Sequence, residues 1–172
     1  GGTRDISAGQ LLDRFGVAIG MPFPSGKYLD DIAYEVLENA GFDLNSVRKT
    51  GVIPKIRIDN GYFNLSGAET RLMRYTGDAD VDISAADVTA ELFVSVSELL
   101  IKDASYLYER YDADNIFMAG GVAWSRTFRA IAQRCGPVEI RFGAAELSGD
   151  NAVGTALLAK RIDETGNRNS GK

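Results

Sequence analysis

Over residues 7–19 the apolar side chains Leu11, Leu12, Phe15 and Ala18 return at helical intervals, which places them on one face of an α-helix. A break follows at Gly20–Pro24, carrying Met21, Pro22 and Phe23. Tyr28, Leu29, Ile32, Val36 and Leu37 then mark one side of a second amphipathic helix over residues 25–40. Gly41 closes it, as glycine does where a helix must end in a left-handed turn. Two β-like runs, Lys55–Ile58 and Tyr62–Leu65, flank Asp59-Asn60-Gly61. Asn-Gly accepts the positive φ angles of a tight turn, so this stretch predicts a hairpin. Gly67–Tyr75 reads as a short helix.

The longest element begins at Ser84, an N-cap residue with Asp87 three positions on,. From there Val88, Leu92, Val96, Leu100, Ala104, Leu107 and Tyr111 draw one buried face along a helix of about 25 residues. Beyond it the rhythm changes to strand, glycines, helix. Asn115–Ala119 is a short apolar strand, Gly120-Gly121 a turn, Val122–Arg134 a helix and Val138–Phe142 another strand. Gly149-Asp150-Asn151 opens a last helix to about Ile162, and the polar tail from Glu164 onward is expected to be disordered,. Strands separated by helices, with no internal repeat, indicate an α/β fold.

Composition narrows the chemistry. A chain of 172 residues, 45% hydrophobic and 25% charged, is long enough to bury a continuous core. Its net charge of −5 works against holding a phosphate backbone over a broad surface. There is no histidine, which removes Ser-His and Cys-His catalysis and any imidazole metal ligand from this chain. The single cysteine, Cys135, cannot form an intramolecular disulfide, and its place late in an apolar helical pattern predicts a buried or half-buried thiol. No apolar run approaches the roughly 18 residues of a membrane span, so the expected setting is the reducing cytoplasm.

The candidate chemistry is concentrated in turns and helix starts. At Gly120-Gly121 backbone N–H groups can approach a nucleotide phosphate or ribose, although close helix–strand packing also calls for glycine there. Asp150 is either a helix cap or one oxygen ligand of a divalent metal whose other ligands lie elsewhere. Asp13, Asp30 and Asp31 are solvated helix carboxylates or caps, or acceptors for ribose hydroxyls. Ser66 and Ser125 lack a histidine partner, so no spacing makes either a nucleophile. Trp124 is read as a core or domain-interface residue rather than a base-stacking platform.

Taken in order, these stretches resemble the TsaD/Gcp glycoprotease-type family. GGTRDISAGQLLDR is similar to that family's G-E-T-x-D-D-A-x-G-E-x-x-D-K, and MPFPSGKYLDDIA to its L-x-Y-P-G-G-P-x-x-D/E-x-L-A. FNLSGAET resembles F-S-F-S-G-L-K-T, MAGGVAWSR resembles A-G-G-V-A-A-N-R, and SGDNAVGTALLA resembles C-T-D-N-A-A-M-I-A. The motifs span nearly all of Thr3 to Ala159.

The resemblance implies a ribonuclease-H-like lobe of the actin/hexokinase-like (ASKHA) fold, incomplete at its N-terminus. It implies residues 1–163 as a C-terminal lobe with a helical insertion at about 7–50, and 164–172 as the tail. It also implies ATP or an acyl-adenylate and a divalent metal (iron, zinc or magnesium) in a cleft, and transfer of a threonylcarbamoyl group to the N6 of a tRNA adenosine. Carried over by position, Asp13, Gly26 and Asp30 match nucleotide contacts, Gly120 and Gly121 the glycine turn, Ser125 a nucleotide-contacting asparagine, and Asp150 the metal-binding aspartate. Gly2, Ile6, Gln10 and Ser125 depart from the pattern, which points to a diverged relative. A catalytically inactive scaffold for a nucleotide or a partner is the alternative, and the family's old peptidase label finds no support in these residues. The family's His-x-x-x-His pair and phosphate loop would lie upstream of this sequence. The chain is therefore expected to be a truncated form, a proteolytic fragment or half of a split protein. Its expected partners are the N-terminal lobe, an actin-like partner or a second copy, and tRNA through the complete protein.

Overall fold

The computed structural model describes residues 1–144, 158, 160 and 161. A short strand β1 (Gly2–Thr3) leads into helix α1 (Ala8–Ala18). The Ser7 hydroxyl accepts the N–H of Gln10 while the Gln10 side chain accepts the N–H of Ser7, so two otherwise orphaned donors are satisfied reciprocally. Helix α2 (Gly26–Asn39) ends where Gly41 takes φ +61°, as the sequence predicts. Its buried seam is Leu29, Ala33 and Leu37, an i, i+4 ladder. Tyr28, expected on that face, stands 46% exposed beside it. The short α3 (Leu44–Val47) follows, started by Asp43.

The predicted hairpin forms only at its tip. Asn60 and Gly61 adopt φ 52° and 77°, and Asp59 and Tyr62 exchange backbone hydrogen bonds of 2.8 and 3.0 Å. Residues 55–58, however, are not a strand. Strand β2 (Tyr62–Phe63) pairs instead in parallel with β1, Gly2 opposite Tyr62 and Thr3 opposite Phe63. Gly2 and Arg4 N–H donate to the Gly61 and Phe63 carbonyls, so the first strand of the chain takes the acceptors that a longer hairpin would leave unsatisfied.

Helix α4 (Ser66–Gly77) is started from a distance. One Asp5 oxygen accepts the N–H of Leu65 at 2.8 Å and the other that of Ser66 at 3.0 Å. Desolvation pushes the Asp5 carboxyl up, but these bonds and those from the Ser66 and Thr3 hydroxyls outweigh it and hold the group well below the usual carboxylate range,. A carboxyl depressed in the folded state binds fewer protons than in the unfolded chain, so its stabilisation is complete above the ordinary value of 3.8 and is lost as pH falls below it,. Acid titration of unfolding should accordingly show a shallower loss of stability below pH 4 in Asp5→Asn than in the wild type. Buried Glu91, which accepts the Thr50 hydroxyl, runs the opposite way. Burial raises it against the N–H groups of Gly51 and Thr50 and the charge of Arg48, so its contribution weakens as pH rises. The difference between wild type and Asp5→Asn isolates the Asp5 effect.

Helix α5 (Ala85–Arg110) begins at Ser84, whose hydroxyl accepts the Ala86 N–H. The sequence predicts one buried face; the structure buries Val88–Val94 on every side, because this helix divides two cores. On one side Leu92, Phe93 and Val96 pack with Leu11, Phe15, Leu29 and Leu72. On the other, Val94 and Ile101 pack with Leu37, Phe128 and Ile131. The far end outruns both, leaving Tyr111 74% exposed.

Strand β3 (Ile116–Met118) pairs in parallel with β4 (Ile140–Phe142). The two strand pairs are separate two-stranded sheets among the described residues, set among helices in keeping with an α/β chain. Between β3 and β4 the single predicted helix is two: α6 (Gly121–Trp124) and α7 (Arg126–Cys135). Ser125 breaks it with φ −54° and ψ 128°. Cys135 is exposed rather than buried. It is the last residue of α7, where the helix gives way to Gly136, and the buried face ends at Ala132. The predicted last helix and the tail lie largely outside the described residues.

Candidate functional site

Two helix starts and one helix break meet around a cavity of about 540 Å³, within the size range of small-molecule sites. Its wall includes Asp13 from α1, Gly26, Lys27, Asp30 and Asp31 from α2, and Gly121, Trp124, Ser125 and Arg126 from the α6–α7 break. Leu12, Phe93 and Val122 supply apolar surface.

Close approach of α1 and α2 sets the first side. An added Cβ on Gly16 would lie 2.2 Å from the Ser25 Cβ, so only glycine permits the crossing. That contact brings Asp13 against the start of α2, where its Oδ1 accepts the N–H of Ser25 at 2.8 Å and of Gly26 at 3.1 Å. The buried Ser25 hydroxyl donates to the Pro22 carbonyl. Both Asp13 bonds fall on Oδ1, so among the described residues Oδ2 takes no hydrogen bond, and Asp13 lines the cavity,.

Asp30 performs the same task across 95 residues of chain. Its Oδ1 accepts the Ser125 hydroxyl at 2.7 Å and the Thr127 N–H at 3.0 Å, and its Oδ2 the Arg126 N–H at 2.8 Å. The Ser125 oxygen in turn accepts the N–H of Phe128, capping α7. The Asp30 carboxylate thus ties α2 to the start of α7, where negative charge is favourable. Asp30→Ala is expected to lower stability by about 2 kcal/mol, since it strands two N–H donors and a hydroxyl at a half-buried seam; a denaturant midpoint shift checks this, and Asp30→Asn should recover part of the loss.

Arg126 is held as well. Its guanidinium stacks 3.6 Å from the Tyr34 ring centroid and lies 3.8 Å from Asp31. The ion pair is exposed and contributes little, so the ring contact fixes this side chain. Lys27 has no ion pair among the described residues. Gly120 precedes α6 with φ 106° and ψ 174°, a conformation that demands glycine, but Gly121 and not Gly120 lines the cavity.

A family model described as TsaD, tRNA N6-adenosine threonylcarbamoyltransferase, matches residues 1–157. The chain belongs to the TsaD family. Among curated relatives it is similar to the tRNA N6-adenosine threonylcarbamoyltransferase of Streptococcus suis, 29% identical over 163 residues. That match covers 92% of this chain and 46% of the relative. The same-named proteins of Enterococcus faecalis and Lactiplantibacillus plantarum are each 29% identical, with 89% of this chain and 44% of the relative covered. The chain therefore spans less than half the length of the curated relatives it matches. TsaD membership implies an actin-like fold, and the mixture of helices and small sheets is in keeping with it.

In this TsaD-family chain, five of the seven residues carried over from the resemblance (Asp13, Gly26, Asp30, Gly121 and Ser125) share one cavity, with Asp31 beside them. Asp150 lies outside the described residues. Sequence reasoning missed three things. Asp5 has no local sign of its role, because the helix it starts lies 60 residues away. Arg126 has no local sign either, because the Tyr34 ring that holds it lies on another helix. Trp124, read as a core or domain-interface residue, lies outside both cores, 49% exposed on the cavity wall, because the break at Ser125 ends α6 after a single turn.

Proposed function

We propose that this chain is the C-terminal portion of a TsaD-type threonylcarbamoyltransferase and that its cavity takes the nucleoside part of ATP or threonylcarbamoyl-adenylate. On this reading residues 1–163 form a ribonuclease-H-like lobe of an actin-like fold, with residues 7–50 as a helical insertion. The observation that carries it is the convergence of Asp13, Gly26, Asp30 and Ser125, drawn from separate stretches of chain, on one cavity.

The charges decide which end of a nucleotide belongs here. Asp13, Asp30 and Asp31 face Lys27 and Arg126, and the cations do not outnumber the carboxylates. A bare polyphosphate would be repelled, whereas ribose hydroxyls donate to a carboxylate, and Asp13 Oδ2 is available for one. The apolar surface of Leu12, Phe93 and Val122 suits a base.

The family's metal finds no ligand set among the described residues. No three His, Cys, Asp or Glu side chains among the described residues are grouped to hold an ion, and the Asp13 and Asp30 carboxylates are engaged as helix caps. Asp150 is the one ligand we assign to this chain, the others belonging to other parts of a longer protein. Acyl transfer to a tRNA adenosine would likewise need the complete protein, in the cytoplasm where tRNA is modified. Among the described residues no helix is long and apolar enough to cross a membrane. The inactive-scaffold alternative gains nothing from the family match.

Titration calorimetry of the full-length protein with ATP and with a stable threonylcarbamoyl-adenylate analogue tests the proposal. Saturable binding of both, with threonylcarbamoyladenosine formed on tRNA from the acyl-adenylate, is expected. Absence of binding to either overturns it.

A further inference from the structure

Trp124 contributes a large apolar surface to the cavity wall while remaining 49% exposed. An indole left half in water on a wall shared with Leu12, Phe93 and Val122 is available to a flat apolar ligand. Its backbone is also firmly held. Gly120 turns the chain into α6, the Trp124 N–H donates to the Gly120 carbonyl, and the next residue, Ser125, is locked to Asp30 at 2.7 Å. The backbone that carries the indole is therefore fixed from both sides before a ligand arrives, so stacking costs no backbone ordering there. Among the polar members of the same wall, Asp13 and Lys27 lie on α1 and α2.

We propose that Trp124 is the stacking platform for the nucleobase in this cavity and sets a preference for purine over pyrimidine nucleotides. The proposal rests on the nucleoside reading above and adds the group that recognises the base. Trp124 and Ser125 both depart from the alanine and asparagine of the resembled glycine turn, so this recognition belongs to this chain's own residues. Every base has a π face, and the larger purine ring overlaps an indole more fully.

The test combines affinity with the emission of this indole, which is the sole tryptophan of the 172 residues. The full-length wild type, Trp124→Phe and Trp124→Ala are titrated with AMP and UMP by calorimetry. The difference in emission between wild type and Trp124→Phe isolates the signal of Trp124 from any other tryptophan of a longer chain. AMP is expected to quench that signal along the calorimetric binding curve and to bind more tightly than UMP. Trp124→Ala is expected to weaken AMP about ten- to a hundredfold, while Trp124→Phe, which keeps a ring, stays within about threefold. Because the indole stands outside both cores, far-UV circular dichroism of both variants should match the wild type. AMP binding that leaves the emission and the Trp124→Ala affinity unchanged overturns the stacking role, the nucleoside site still standing. No AMP binding by the wild type overturns the site and the platform together. Normal AMP binding by Trp124→Ala with loss of a copurifying protein overturns the proposal in favour of an interface.

Discussion

Asp13→Ala should lower affinity for ATP or AMP about tenfold or more and reduce folding stability by about 1–2 kcal/mol at the same time. The two losses have different causes. Stability falls because Oδ1 accepts the N–H groups of Ser25 and Gly26, and an uncapped helix start costs about 1 kcal/mol, more where the stranded donor is buried as at Ser25,. Affinity falls because a charged acceptor for a ribose hydroxyl is removed, worth about 1.5–3 kcal/mol. Asp13→Asn separates them. Its amide oxygen can replace Oδ1 beneath α2, while the group turned to the ligand becomes an NH₂ donor without charge. We expect Asn to retain most of the stability and Ala-like loss of affinity, measured by denaturant titration and calorimetry. Equal nucleotide affinity in the wild type and both variants would limit Asp13 to a structural cap.

Gly16→Ala is expected to destabilise the fold by about 2 kcal/mol, although alanine is the better helix former by about 1 kcal/mol. The new methyl would sit 2.2 Å from the Ser25 Cβ and 2.8 Å from its Oγ, an overlap that no rotation of Ser25 relieves at the Cβ. Ser25 cannot withdraw, because it is buried and held by Asp13 and the Pro22 carbonyl. Overpacking of this kind costs about 1–3 kcal/mol or more, which exceeds the propensity gain. A thermal midpoint lowered by about 4–8 °C is the expected readout for a chain of this length. The same displacement separates Asp13 from Gly26, so nucleotide affinity should fall with it. A variant as stable as the wild type would show that α1 and α2 can part without cost.

These effects are legible to different degrees before folding. Helices α1, α2 and α5 follow from apolar spacing, and Ser84 announces the start of α5, because helix periodicity and capping act within a few residues. The tight turn at Asn60-Gly61 is equally local. Its failure to extend into a hairpin is not, and strand Tyr62–Phe63 finds its partner in Gly2–Thr3 from the other end of the sequence. The break at Ser125 belongs with it. Residues 122–134 read as one helix, and the break is held by Asp30, 95 residues away, whose carboxylate gathers the Ser125 hydroxyl and the Arg126 and Thr127 N–H groups.

The candidate residues Asp13, Gly26, Asp30 and Ser125 were visible as a pattern of motifs in order, and the sequence alone was enough to identify the family. What each carboxylate does was decided by tertiary structure. Asp5, Asp13 and Asp30 each satisfy N–H donors at the start of a helix that their own local sequence does not contain. Spacing along one chain cannot encode such pairings, because a helix start offers the same donors to any carboxylate that packing brings near. Packing also left one Asp13 oxygen without a hydrogen bond among the described residues, and set Trp124, read as a core or domain-interface residue, on the cavity wall. Local periodicity fixes which side chains are presented together, and only the packing of α1, α2 and the α6–α7 break fixes what they are presented to.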